Sequence, residues 1–280
     1  MEKKIGLFII CLIVVCLSSS VVVALPPMGP PKALLGQDQW SIGLGYARQS
    51  MDLEASGEIT DIQVAPLFVQ VEDGEHEIQD LESNVVLCQM GYGLSDDWDV
   101  FLRLGVADAE DEIERIYADG ATDLYQGYDG SFGFAWGVGT RATFWQDGDV
   151  SWGGLVQMTW LTPDDSDISL SGDTNFSGNA EIDFWEVQIA VGPTVRVDDS
   201  FRIYGGPFLH FVDGDLDLSG RTDDMGTEMR VEASSDIDEE SQFGGYAGAH
   251  WDMNENTCCF IECQLTGDAW AIGIGAARRF

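Results

Sequence analysis

From about residue 39 to the C-terminus, large apolar residues recur at every second position. In "DVFLRLGVAD", Val100, Leu102, Leu104 and Val106 share one parity, while Phe101, Arg103 and Gly105 share the other. In "FGFAWGVGTRATFW", Phe132, Phe134, Trp136, Val138 and Phe144 alternate with Gly133, Ala135, Gly137, Gly139 and Arg141. "FWEVQIAVGPTVRV" sets Trp185, Val187, Ile189, Val191 and Val195 against Glu186, Gln188, Gly192, Thr194 and Arg196. A period of two is the signature of a strand with two unlike faces. The rhythm recurs near 39–55, 82–94, 150–162, 201–217, 240–253, 257–265 and 269–280. It predicts an all-β chain of about ten strands, within a range of about eight to twelve.

The connections alternate as well. "LSDDW", "WQDGD", "VDDSF" and "DMNENT" are short turns at every second junction, and long acidic segments lie between them at roughly 56–80, 107–130, 164–181 and 213–240. Short turns at one end and long loops at the other predict a single antiparallel transmembrane β-barrel. The stretch 61–72, "DIQVAPLFVQVE", reads either as an extra pairing segment or as an ordered part of the first loop.

A soluble lipocalin-like barrel would show the same alternation, so the faces must be told apart. Turning the large residues inward would leave rows of glycine and alanine on the outside, which weakens a sheet for no gain. Turning them outward puts them against hydrocarbon and leaves small and charged residues to fill a narrow lumen. Aromatic spacing favours the second arrangement. Trp98, Phe144, Trp152, Phe201, Trp251 and Phe280 lie beside the short turns or at the chain end. Phe134, Trp160, Phe211, Phe243 and Trp270 stand eight or ten residues away on the same parity. At about 3.3 Å per residue and a tilt of about 40°, those spans rise about 20–25 Å, the height of a barrel's apolar band.

The first residues follow another pattern. Lys3 and Lys4 precede an apolar run from Ile5 to Leu17, and Val22 and Ala24 occupy the small-residue positions of a cleavage site. This predicts a signal peptide over 1–24, too short for a stable anchor, and export to the cell outer membrane. Cys11 and Cys16 follow Ile10 and Val15, which argues against a lipoprotein. Residues 25–36, "LPPMGPPKALLG", are expected to form a flexible Pro-rich leader, with the barrel domain over 37–280. The full chain carries a net charge of −36. Losing a leader with two lysines and one glutamate makes the remainder more negative still, which excludes phosphate-led nucleic-acid binding. Of the four later cysteines, Cys258, Cys259 and Cys263 crowd into "CCFIEC" and Cys88 lies far upstream. They are read as small apolar side chains rather than a disulfide framework or a zinc site.

The final strand, "AWAIGIGAARRF", resembles the terminal signal of bacterial outer-membrane β-barrel proteins, a group that includes small porin-like and OmpA-like barrels. Trp270, Ile272, Ile274, Ala276 and Phe280 match that pattern, whereas Arg278 stands where an apolar or aromatic residue is usual. The resemblance implies a Gram-negative-type envelope, outer-membrane lipid around the barrel, and recognition of this strand by the barrel-assembly machinery.

Three groups of residues could carry chemistry. The lumen parity holds Arg103, Arg141, Arg196 and Arg202 with Glu186, Glu262, Asp252, His250, Gln89, Gln157, Gln188 and Gln264. Charges in a low-dielectric wall should pair, so the favoured reading is an interior ion-pair network, with a charge-selective pore as the alternative. The acidic loops hold most of the chain's carboxylates, opposed only by Arg115, Arg221 and Arg230. Asp213, Asp215 and Asp217 alternate in "DGDLDLSG" and form a candidate site for divalent cations. His210 with Asp213 could act as a general base in the manner of omptin-like or lipid A-modifying barrels, whereas His76 lies in a loop and His250 near the turn end. Two residues do not make a catalytic constellation. The expectation is therefore a non-enzymatic surface or structural barrel with no cofactor or resident metal, and a small-solute or cation-preferring channel is the runner-up.

Overall fold

The computed structural model describes residues 25–64, 67–69, 74–110, 114–116, 122–124, 129–170, 175–224, 227–238, 242–267 and 269–280. Fifteen strands are found among them. In chain order they are β1 (Trp40–Val64), β2 (Leu67–Val69), β3 (Gly74–Ser95), β4 (Trp98–Glu110) and β5 (Glu114–Ile116). Next come β6 (Thr122–Leu124), β7 (Asp129–Asp147), β8 (Val150–Thr162), β9 (Ser166–Leu170) and β10 (Asn175–Arg196). The last are β11 (Phe201–Asp224), β12 (Thr227–Asp238), β13 (Phe243–Asp252), β14 (Thr257–Leu265) and β15 (Ala269–Arg279).

Ten of these close a wall in the order β1-β3-β4-β7-β8-β10-β11-β13-β14-β15, and β15 returns to β1. Every neighbour is antiparallel. The terminal pairing is complete from Ser41↔Arg279 to Met51↔Ala269. The backbones of Trp40 and Phe280 also bond to each other, so the first and last strands seal without an edge.

The strands run further towards the loop end than their periodicity suggested. β1 and β3 stay paired to Gly57↔Gly74, and β10 and β11 to Asn175↔Asp223. In contrast, β13, β14 and β15 stop early. Above them β12 completes the wall, pairing with β11 from Asp213↔Asp238 and with β1 from Glu54↔Asp238. Within the stretch 61–72, residues 61–64 supply the tip of β1 and 67–69 the short β2 that folds back on it, and the described residues add no eleventh wall strand. Among the described residues no helix is long and apolar enough to cross a membrane.

The two faces divide as the side-chain sizes require. Leu44, Phe134, Val138, Val156, Ile189, Leu209, Ile261 and Ile274 are exposed on the outside. The inside has two apolar layers. Met51, Leu81, Leu161, Ile182, Phe184, Val212 and Ile237 belong to the layer nearer the loop end. Phe101, Leu155, Tyr204, Phe208 and Tyr246 belong to the other, and Leu25 and Met28 belong to it too.

Candidate functional site

Residues 25–36 are not a flexible leader in the folded barrel. They run up the lumen from the turn end, and Leu25, Met28, Ala33 and Leu35 are buried. An extended backbone with no sheet partner would normally strand its polar groups in the interior. Two features of the sequence prevent that. Pro26, Pro27, Pro30 and Pro31 have no N–H to satisfy. Five of the remaining N–H groups and two of the carbonyls meet side chains of the wall.

The carboxylate of Glu262 on β14 accepts the N–H of Met28 and of Gly29, each at 2.8 Å. Asp99 on β4 accepts the N–H of Leu34 at 2.6 Å and of Leu35 at 3.3 Å. Thr143 Oγ1 accepts from Ala33 at 3.1 Å. Donors face the carbonyls in turn. Arg103 donates to the oxygen of Pro27 at 2.8 Å, and Gln264 and Gln157 donate to that of Pro26 at 3.1 and 3.3 Å. Gly29 turns the segment at φ +75°, a backbone region that favours glycine.

The inner rows of glycine make the room. A Cβ on Gly93 would run into the carbonyl of Gly36, and one on Gly153 into that of Pro31. A Cβ on Gly273 would lie 2.7 Å from Pro27 Cβ, and the other atoms close to it also belong to Pro27. The small face is a groove for the chain's own N-terminal segment.

The predicted lumen charges divide by level. Arg141 donates to Asp99 at 3.0 Å, with both side chains buried, and Arg103 donates to Gln89 at 3.0 Å. Both guanidiniums lie over the Phe101 ring, at 4.7 and 4.8 Å from its centroid. Gln157 and Gln188 are hydrogen-bonded, and Gln188 donates to Gln264 at 2.9 Å. Glu186 is buried with His210 Nε2 3.8 Å away. Nearer the turn end, Asp252 is held by Arg202 and Arg279 together, and His250 Nδ1 lies 3.2 Å from Arg202. His250, Asp252 and Cys258 bring metal-capable atoms within 4.8 Å of one another. With its carboxylate already clamped by two guanidiniums, that trio is an ion-pair node at the mouth. Arg196 is the exception to the lumen set. It is the last residue of β10, still paired with Arg202 but exposed at the rim, where it pairs with Asp149.

Other predicted positions fall on the outer face. Trp98, Phe134, Phe144, Trp152, Phe243, Trp251 and Phe280 are exposed, and Trp160, Phe201 and Phe211 are partly so, whereas Trp270, expected in the girdle, is half-buried and packs against the loop-end apolar layer of the interior. Trp136 stacks on Trp160 with centroids 5.4 Å apart, and Phe201 is cross-strand from Trp251. Trp40 and Trp145 join the turn-end ring unannounced. A register shift between Thr143 and Trp145 turns Trp145 outward beside Phe144. In the final strand Ile274, Ala276 and Phe280 are exposed, and Ile272 is partly covered.

Asp213, Asp215 and Asp217 are exposed near the loop end, cross-strand from Trp185, Asp183 and Glu181. Asp165, and then burial, Asp183 and Asp217, hold the Glu181 carboxyl above its usual range. His210 is buried and faces inward, whereas Asp213 faces out, so the two are not brought together. Cys88 is exposed, Cys258 buried, and Cys259 and Cys263 intermediate, and all four are free thiols. His76 and Arg230 lie in strands, but their side chains fall outside the described set, as does Arg115.

Exposed apolar side chains on strand after strand form a belt around the outside, while Arg103, Arg141, Glu186 and Glu262 are buried within. The fold is that of an outer-membrane β-barrel. No family model matches the chain, and no curated protein does. Among solved structures it is similar to the outer membrane protein OprG from Pseudomonas aeruginosa, at 12% identity and a TM-score of 0.46, covering 88% of this chain and 97% of that one. It is also similar to the outer membrane protease OmpT from Escherichia coli, at 8% and 0.43, covering 91% and 98%. A third is the toluene transporter TbuX from Ralstonia pickettii, at 12% and 0.40, covering 90% and 92%.

Proposed function

We propose that this chain is an integral outer-membrane protein with a structural and surface-presenting role, non-enzymatic, whose lumen is closed at rest by its own N-terminal segment. The exposed apolar belt supports the membrane setting, because a contiguous face of that extent would not stay monomeric in water. One observation carries the closed lumen: Leu25 to Gly36 occupy the barrel interior, with their backbone bonded to Glu262, Asp99, Arg103 and Thr143. The long strands then present acidic loops to the outside, while the short turns and both ends of the wall face the periplasm.

A small-solute or cation-preferring channel is the second reading. It draws on the single attachment of the occluding segment, which joins the wall only through Gln37–Gln39 and could withdraw towards the turn end. Planar-bilayer recording of the intact chain separates the two. The closed-lumen reading expects no unitary steps. Steady conductance steps from the intact chain would establish the channel instead.

A further inference from the structure

We propose that the turn-end half of the lumen is a peptide-binding site, whose ligand class is an extended, proline-rich peptide read through its backbone and whose resident ligand is residues 25–36. The proposal rests on the closed-lumen reading and extends it to what the lumen recognises. The wall contacts are almost all to main-chain atoms. Arg103, Gln157 and Gln264 donate to the carbonyls of Pro26 and Pro27, and Glu262, Asp99 and Thr143 accept amides from Met28 to Leu35. Donors thus stand where the segment has only carbonyls, and acceptors stand where its N–H groups return. Ordinary core filling would match shape, not this order of donors and acceptors. Leu25 and Met28 add apolar anchors against the layer of Phe101, Leu155, Tyr204, Phe208 and Tyr246. Proline carries no N–H, so the segment brings no donor to be satisfied at positions 26, 27, 30 and 31.

The tether conceals this site. The segment joins β1 through only three residues, Gln37 to Gln39. A tether that short gives a local concentration in the millimolar range. A free peptide of equal affinity at micromolar concentration therefore loses to it by about a thousandfold.

The experiment cuts the tether after folding. A specific protease site is inserted between Gln37 and Asp38, which are exposed at the turn end. The barrel is folded in detergent, nicked and passed through a sizing column. The freed segment should travel with the barrel at one to one. It should exchange with an excess of labelled synthetic 25–36 peptide, and a scrambled peptide should not displace it. The uncut chain should take up neither. Glu262→Ala should release the nicked segment at least about tenfold faster, as expected when a buried carboxylate bonded to two amides is lost. Should that variant fail to fold, Gly273→Val makes the same test through sterics. Loss of the segment from nicked wild type without rebinding of labelled peptide, the barrel still folded by its heat-shifted migration, overturns the proposal. Retention that is equal in the variants overturns it too. Conductance from the intact chain strikes the closed-lumen reading and is scored separately.

Discussion

Replacing Glu262 by alanine removes the acceptor for two consecutive amides deep in the barrel. Both N–H groups, of Met28 and Gly29, lie 2.8 Å from its oxygens, and Gln264 donates to it at 2.7 Å. Hydrogen bonds to a charged partner contribute about 1.5–3 kcal/mol each, and a stranded buried donor costs about 1–3 kcal/mol. Some relaxation is available, because the neighbouring Gln264 could turn towards one amide. A net loss of about 3 kcal/mol for docking of the segment is therefore the expectation. At about 1.4 kcal/mol per factor of ten, that is more than a hundredfold. Hydrogen exchange read by mass spectrometry on the barrel in nanodiscs measures it directly. In wild type the amides of Met28 and Gly29 should be strongly protected, and in Glu262→Ala their protection should fall about a hundredfold. Those of Leu34 and Leu35, held by Asp99, should fall less. Glu262→Gln keeps one acceptor oxygen and should give an intermediate loss. The reasoning fails if wild-type Met28 and Gly29 exchange at free-peptide rates, or if the alanine variant leaves them unchanged.

Three further expectations follow from the same structure. Gly273→Val should expel the segment, since the three atoms nearest a Cβ there all belong to Pro27, and a protease added from the turn end should then trim residues 25–36. Leu44→Arg places a guanidinium in the belt, near the start of β1 and above the turn-end ring at Trp40, and should destabilise the barrel in lipid by about 2–4 kcal/mol, measured by reversible unfolding into denaturant; no change would contradict the facing of that strand. The raised Glu181 carboxyl predicts a pH effect at the loop end, above the membrane-crossing part of β10. A group whose folded pKa is raised stabilises below its unfolded value, and that contribution is lost as pH rises through the folded one. The outer ends of β10 and β11 should therefore resist proteolysis better at low pH and loosen as pH climbs above 4.5, and Glu181→Gln should flatten this dependence.

Much of the wall was legible because a strand between lipid and a lumen must alternate by size, and ten segments do. The facing of Leu104, Phe134 and Ile189 follows from parity alone, as does the burial of Arg103, Arg141 and Glu262. The extent of the strands was less legible. Beyond the belt, β1, β10 and β11 are wetted on the outside, so residues such as Asp213 and Asp215 break the apolar rhythm without ending the hydrogen bonding. β12 was read as loop for the same reason. Arg196 was misplaced because parity gives a face but no depth: as the last residue of β10 it is still paired with Arg202 yet stands in the open at the rim. The largest gap was the N-terminal segment. Proline is a sign of disorder when a segment stands alone, but within a lumen it removes the donors that would have no partner. The inner rows of Gly93, Gly153 and Gly273 were a signal that something had to lie against them.

The most direct test of the occupied lumen is a covalent one. In a background with Cys88, Cys258, Cys259 and Cys263 replaced by serine, the pair Pro27→Cys and Gly45→Cys sets a wall Cβ 4.0 Å from the place of Pro27 Cγ, an ordinary contact that leaves the segment seated and puts the two thiols within bridging reach. Mild oxidation of the folded barrel should join them nearly completely, visible as a band whose migration changes on reduction, and the same chains unfolded in denaturant should join poorly. A folded barrel in which the two thiols stay free, and in which both react with a soluble maleimide, would contradict the account.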